Sequence, residues 1–125
     1  MWRFMNERRK LLNSVVARTL FVFTLCLVSG LFFWQSPPAG PTSVAHLDKV
    51  VHFGLFFVLA ASMQYAFRLR YLWSLSWLLL YAVAIEWIQH YIPGRGADGW
   101  DVVADMAGAL SFFIVFSWYK QKRRN

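Results

Sequence analysis

Residues 15–34 read VVARTLFVFTLCLVSGLFFW, an apolar stretch whose single charged residue is Arg18. A helix rises 1.5 Å per residue, so a stretch of this length spans the roughly 30 Å hydrocarbon core of a bilayer. The long side chain of Arg18 can reach the headgroups from the first turns of such a helix. Aromatic residues of the kind that anchor helices at membrane interfaces close the stretch. Residues 15–34 therefore predict a first transmembrane helix.

Three further stretches of similar character follow, at residues 50–67, 71–92 and 102–119. The chain of 125 residues is 58% hydrophobic and only 15% charged, whereas an ordinary soluble domain is about 25% charged. A soluble chain this short could not bury so much apolar surface. The sequence predicts an all-α polytopic membrane protein with four transmembrane helices. Residues 1–14 and 120–125 form basic terminal segments, and residues 35–49 and 93–101 form two outer loops.

The first stretch also has some features of a secretory signal peptide, since basic residues precede it and 43–45 read SVA. A signal peptide has a shorter apolar run of about 7–15 residues, with its cleavage site close behind. The first stretch is longer and lies well upstream of residues 43–45. An uncleaved helix is therefore the favoured interpretation.

The charges divide unevenly between the two sides of the predicted helices. If both termini lie on one side, that side carries eleven basic residues and Glu7, a charge of +10. The other side carries two basic and five acidic residues, a charge of −3, and the two add to the net +7 of the chain. The eleven are Arg3, Arg8, Arg9, Lys10, Arg18, Arg68, Arg70, Lys120, Lys122, Arg123 and Arg124. Because positive charge marks cytoplasmic segments, both termini are predicted to be cytoplasmic. Basic clusters between apolar runs form no stripe on a soluble face, so no nucleic-acid partner is expected.

Ionisable residues recur at helical spacing near the outer ends of three predicted helices. Residues three or four apart share a helix face, so each helix can turn its polar residues toward one point. A carboxylate facing lipid is costly, by about 2.5–3.5 kcal/mol on insertion scales, so these faces are expected to point inward. The spaced sets are Asp48 with His52, Glu86 with Gln89 and His90, and Asp101 with Asp105. We therefore expect a polar pocket that opens outward.

The loop before the fourth helix, PGRGADGW at residues 93–100, is predicted to cover this pocket. Its proline cannot continue a helix and its glycines permit a tight reversal. Arg95 would supply a guanidinium, which can bind a phosphate or carboxylate in a bidentate way. The residues predicted to bind a ligand are Asp48, His52, Glu86, Gln89, Arg95, Asp101 and Asp105.

Three blocks in order resemble the VanZ-like family of small bacterial membrane proteins. They are DKVVHF at 48–53, Glu86-x-x-Gln89-x-x-x-Pro93-Gly94-Arg95, and Asp101-x-x-x-Asp105-x-x-Gly108. The resemblance implies one VanZ-like domain at about residues 48–108, in a multi-pass protein of the bacterial inner or plasma membrane. It also implies a link to glycopeptide susceptibility, toward the lipid-tailed antibiotic teicoplanin, but no particular reaction. The family usually has asparagine where this chain has Asp105, which here adds a carboxyl group.

The sequence leaves three functions open. The pocket could bind an envelope lipid headgroup or a lipid-linked cell-wall precursor, with membrane lipids around it. It could instead belong to a membrane hydrolase or transferase using Glu86, Asp101 and Asp105, with Glu86 or Asp105 as the candidate catalytic base. Third, the polar groups could form a network that only fixes helix packing.

The sequence predicts no cofactor. It also predicts no metal site, because EWIQH at 86–90 is not a His-Glu-x-x-His motif. A homodimer would suit so small a bundle.

Overall fold

The computed structural model describes residues 1–33, 45–92 and 99–124, with the backbone alone at 45–48. Four helices make up this part of the chain: α1 (Trp2–Phe32), α2 (Ala45–Phe67), α3 (Tyr71–Gln89) and α4 (Gly99–Arg124). All four are long and apolar enough to cross a membrane. The described residues contain no strand. The predicted all-α, four-span fold class is confirmed.

Helix bounds extend beyond most of the predicted spans. Helix α1 begins at Trp2 and so runs through the basic segment 1–14, where Glu, Arg, Lys and Leu are good helix formers and no Gly or Pro interrupts. Helix α4 likewise continues to Arg124. Helix α3 ends at Gln89, shortly before Pro93, because proline disfavours helical backbone in the residue before it.

Consecutive helices run antiparallel. The last turn of α1 lies beside the first turns of α2, where the rings of Phe32 and His52 are 4.6 Å apart. At the opposite end, Tyr65 of α2 contacts Phe116 of α4. Both ends of the chain therefore lie at one end of the bundle, which we call the basic end. The other end, where α1 and α3 finish and α2 and α4 begin, is called the polar end. That the basic end faces the cytoplasm stays a prediction.

Helices α2 and α4 form the most extensive interface of the bundle, with α1 packed mainly on α2 and α3 mainly on α4. Phe56, Leu59 and Ala60 of α2 are fully buried and pack in one core with Ala109 and Phe113 of α4. Large apolar side chains cover much of the outer surface of all four helices. A soluble protein would not expose apolar surface so extensively, whereas lipid is its natural surrounding.

Gly108 allows α2 and α4 to approach closely. A Cβ atom at this position would lie 2.9 Å from the backbone carbonyl carbon of Phe53 and 3.0 Å from its Cα atom. Only glycine leaves room for backbone at this distance, as in the small-residue contacts of membrane helices. Phe53 follows His52 and Gly108 lies three residues after Asp105, so this contact also brings those two polar residues together.

Candidate functional site

The centre of the polar end is a buried pair between α2 and α4. Nδ1 of His52 lies 2.7 Å from Oδ1 of Asp105, and the two residues are each 1% exposed. With the carboxyl ionised, the Nδ1–H group donates a charge-assisted hydrogen bond, which is short and strong in a setting without water. This pair fixes the orientation of the imidazole.

Asp101 and Lys49 extend the pair toward the surface. Oδ2 of Asp101 lies 3.7 Å from Nε2 of His52, and its Oδ1 accepts a hydrogen bond from Nζ of Lys49 at 3.4 Å. Two carboxylates and one ammonium sum to −1, and a protonated His52 would bring these four groups to zero. Such compensation lowers the cost of burying charge. We call Lys49, His52, Asp101 and Asp105 the charged cluster.

Helix geometry accounts for the arrangement of the charged cluster. Lys49 and His52 are three residues apart on α2, and Asp101 and Asp105 are four apart on α4, so each pair shares a face. Asp101 lies in the first turn of α4, where the helix dipole favours negative charge. The side chain of Asp101 is 3% exposed and that of Lys49 is 33% exposed. Lys49 therefore forms the rim of the cluster.

Gln89 joins α3 to the end of α1. Its Nε2 donates a 2.7 Å hydrogen bond to the backbone carbonyl of Phe32, one of the carbonyls that the last turn of a helix leaves without an intrahelical partner. The ring of Phe32 lies against His52. Gln89 is thus linked to the charged cluster through Phe32.

Replacing Gln89 by leucine is expected to lower the free energy of unfolding by about 1 kcal/mol, because a buried carbonyl loses its donor. The measurement is denaturant unfolding in detergent micelles. Ser76→Ala is the control, since the Ser76 hydroxyl is exposed and donates to the carbonyl of Leu72 in its own helix. Equal stability of the two variants would show that the Gln89 bond contributes nothing.

Glu86 lines a shallow groove between α3 and α4. The groove has a volume of about 420 Å³ and is also lined by His90 and Val102. Glu86 and His90 lie on one helix face, as their spacing predicts. Glu86 and His90 therefore both face the start of α4.

Among the predicted binding residues, His52, Asp101 and Asp105 are in contact. Gln89 donates to the carbonyl of Phe32 and Glu86 lines the groove between α3 and α4. The side chain of Asp48 and all of Arg95 lie outside the described residues, so their predicted roles stay predictions. Across residues 1–33, 49–92 and 99–124, no three His, Cys, Asp or Glu side chains are arranged to hold a metal ion.

Lys49 belongs to the charged cluster but was not among the predicted binding residues. It stood only among the outer charges and in the DKVVHF block, although its position three residues before His52 places both on one face of α2. That spacing was the available signal. The partner of Lys49, Asp101, lies 52 residues away and could not be identified from local spacing.

The model of the VanZ/LLP1 family matches residues 6–120. The chain belongs to the VanZ/LLP1 family. The match includes most of all four helices, so it is wider than the VanZ-like domain predicted at about residues 48–108. No curated protein and no solved structure matches the chain. With its four candidate spans, the chain is a multi-pass membrane protein of VanZ type.

Proposed function

We propose that the polar end of this VanZ/LLP1 protein binds the polar headgroup of an envelope lipid or of a lipid-linked cell-wall precursor. The observation that carries the proposal is the charged cluster, with Lys49 at its rim and Asp101 directly beneath. Ionisable groups within a membrane bundle are costly and usually serve a function. The cluster lies near the ends of four candidate spans, which supports access to headgroups.

The chemistry of the charged cluster suits a phosphorylated, hydroxyl-bearing headgroup. The ammonium of Lys49 is a donor that a phosphate oxygen can accept, and the carboxylate of Asp101 accepts from hydroxyl or amine groups. A phosphate that draws Lys49 outward would uncover Asp101 for a neighbouring hydroxyl. Asp48 in the first turn of α2 and Arg95 between α3 and α4 are proposed to complete the site, with Glu86 and Gln89 on its α3 side.

An effect on teicoplanin follows if the polar end faces outward. A lipid-tailed glycopeptide anchors in the membrane while it binds cell-wall precursors at the surface. A protein that holds the headgroups of such lipids changes how many of them the antibiotic can reach. We therefore propose that the chain alters teicoplanin susceptibility by binding rather than by antibiotic modification.

A membrane hydrolase or transferase is the second candidate, and one observation favours it. Asp105 contacts Nδ1 of His52, which is the arrangement that orients an imidazole as a general base. Nε2 would then be the atom that accepts a proton, and it faces Asp101 at 3.7 Å. Turnover of a lipid-linked substrate would distinguish this function from binding.

Lys49→Gln is expected to abolish the effect of the protein on antibiotic binding, because it removes the rim cation while leaving the buried His52–Asp105 pair. The measurement is fluorescent teicoplanin bound per cell in a Gram-positive host, with membrane levels of each variant matched. The wild type should change the bound signal relative to an empty vector, and Lys49→Gln should return it to the empty-vector level. Lys122→Gln removes one lysine from the basic end and should behave as the wild type.

Equal signals from the wild type and the empty vector would contradict the proposed role in teicoplanin susceptibility.

A direct test of headgroup binding uses the purified protein in nanodiscs with a polyprenyl-diphosphate-linked disaccharide peptide, followed by native mass spectrometry. The wild type should retain this lipid intact and Lys49→Gln should lose it. Conversion to a lighter product would instead establish the enzyme.

A further inference from the structure

A second polar cavity lies at the basic end, where α2 passes into α3 beside the last turns of α4. Its volume is about 680 Å³, and its lining includes Arg68, Arg70 and Lys120 together with Gln64. No Asp or Glu is among the described residues that line it. We call this cavity the basic pocket. It is separated from the charged cluster by the length of the helices.

We propose that the basic pocket binds the phosphate of an anionic membrane phospholipid. Among the described residues, no carboxylate forms an ion pair with Arg68, Arg70 or Lys120. Three cations around one cavity, without a carboxylate to neutralise them, are complementary to a phosphate diester. Basic pockets between transmembrane helices commonly take anionic headgroups in this way.

The location of the basic pocket favours a lipid over a dissolved anion. Helix α2 ends at Phe67 and α3 begins at Tyr71, so the pocket lies where two apolar spans meet the headgroup layer. Tyr65, Tyr71 and Phe116 also line it. Such aromatic rings are typical of membrane interfaces and offer apolar contact to the glycerol and upper acyl chain.

The backbone at Arg68 gives a second, independent indication. Arg68 has φ of 52° and is the one described non-glycine residue with positive φ. It follows the last residue of α2, and its N–H group donates to the carbonyl of Gln64. Glycine is usual at such a position because it takes this conformation without strain. An arginine at this position, with its side chain lining a cavity, points to a role for the guanidinium.

Gln64 adds a polar group to the inner wall. The residue is 6% exposed, and its Oε1 is buried with no hydrogen-bond partner among the described residues. A buried polar atom without a partner is unfavourable. A hydroxyl of the headgroup could satisfy it after a small rotation of the amide. The basic pocket therefore suits phosphatidylglycerol, whose phosphate is followed by hydroxyl groups.

Arg68→Gly is the most direct test, because it removes the guanidinium and at the same time relieves the backbone strain of a positive φ at this position. The probe is phosphatidylglycerol in mixed nanodiscs with phosphatidylcholine, and the readout is lipid retained by the protein in native mass spectrometry. The wild type should retain phosphatidylglycerol selectively. Arg68→Gly should weaken retention about tenfold, with a melting temperature equal to the wild type or higher. Lys120→Gln, on an exposed turn of α4, gives a second variant with the same expected loss.

Arg123→Gln is the matched control, since it removes a cation at the same end but outside the basic pocket. It should retain phosphatidylglycerol as the wild type does. An equal loss in Arg123→Gln and Arg68→Gly would overturn the proposal in favour of diffuse surface attraction. Full retention of phosphatidylglycerol by both Arg68→Gly and Lys120→Gln would also overturn the proposal. Equally tight binding of inorganic phosphate in pure phosphatidylcholine nanodiscs would overturn the lipid as the ligand. Phosphatidylglycerol lost in Lys49→Gln is assigned to the charged cluster and that lost in Arg68→Gly to the basic pocket, so the two proposals fail separately.

Discussion

Gly108→Ala is expected to lower the free energy of unfolding by about 3 kcal/mol, at the upper end of the usual cost of overpacking. The added Cβ would meet the backbone of Phe53, which cannot turn aside as the tip of a flexible side chain can. Helices α2 and α4 would have to separate along the most extensive interface of the bundle. The measurement is denaturant unfolding in micelles, followed by circular dichroism.

Gly54→Ala is the matched control for this prediction. Gly54 lies on α2, the other helix of this interface, next to Phe53, but a Cβ there would meet nothing within 4 Å. Because alanine is a better helix former than glycine, this variant should be as stable as the wild type or slightly more so. If Gly108→Ala were equally stable, the close approach of α2 and α4 would not be a feature of the folded protein.

Asp105→Ala is expected to cost about 3 kcal/mol, because it leaves the buried imidazole of His52 without the carboxylate beside it. Asp105→Asn should cost only about 1 kcal/mol, since the amide oxygen can still accept from Nδ1–H. The comparison separates the contribution of charge from that of the hydrogen bond. Both values can be measured by the same unfolding experiment.

The double variant His52→Leu with Asp105→Leu completes this test. It replaces the buried pair by apolar side chains and should recover much of the stability that Asp105→Ala loses. Recovery of stability together with loss of headgroup binding would support a functional role for the pair. If the double variant were less stable than Asp105→Ala, the pair itself would be essential for packing.

Apolar length and charge distribution were sufficient to predict four helices and their order along the chain. The spacing of Asp101 and Asp105 also predicted correctly that they share a face, and the structure brings both to His52. These properties depend on local sequence, since a span is recognised by its own residues and a face by the helical repeat.

Partners across the bundle could not be predicted in the same way. Spacing does not give the rotation of one helix against another, so it could not show which groups across the bundle the polar side chains of α3 contact. Gln89 in addition donates to a backbone carbonyl, that of Phe32, which carries no side-chain signal. Lys49 was missed because a lysine near a predicted helix end is normally an interfacial charge.

The separation of His52 and Asp105 in the chain has a consequence for biosynthesis. The two residues are 53 positions apart, and a third helix is made between them. At about 5–20 residues per second, a ribosome needs roughly 3–10 s to reach the second after the first. During that interval α2 carries an imidazole whose carboxylate partner has not yet been translated. Because the His52–Asp105 contact needs both helices, α2 and α4 can reach their final arrangement only after α4 has been translated.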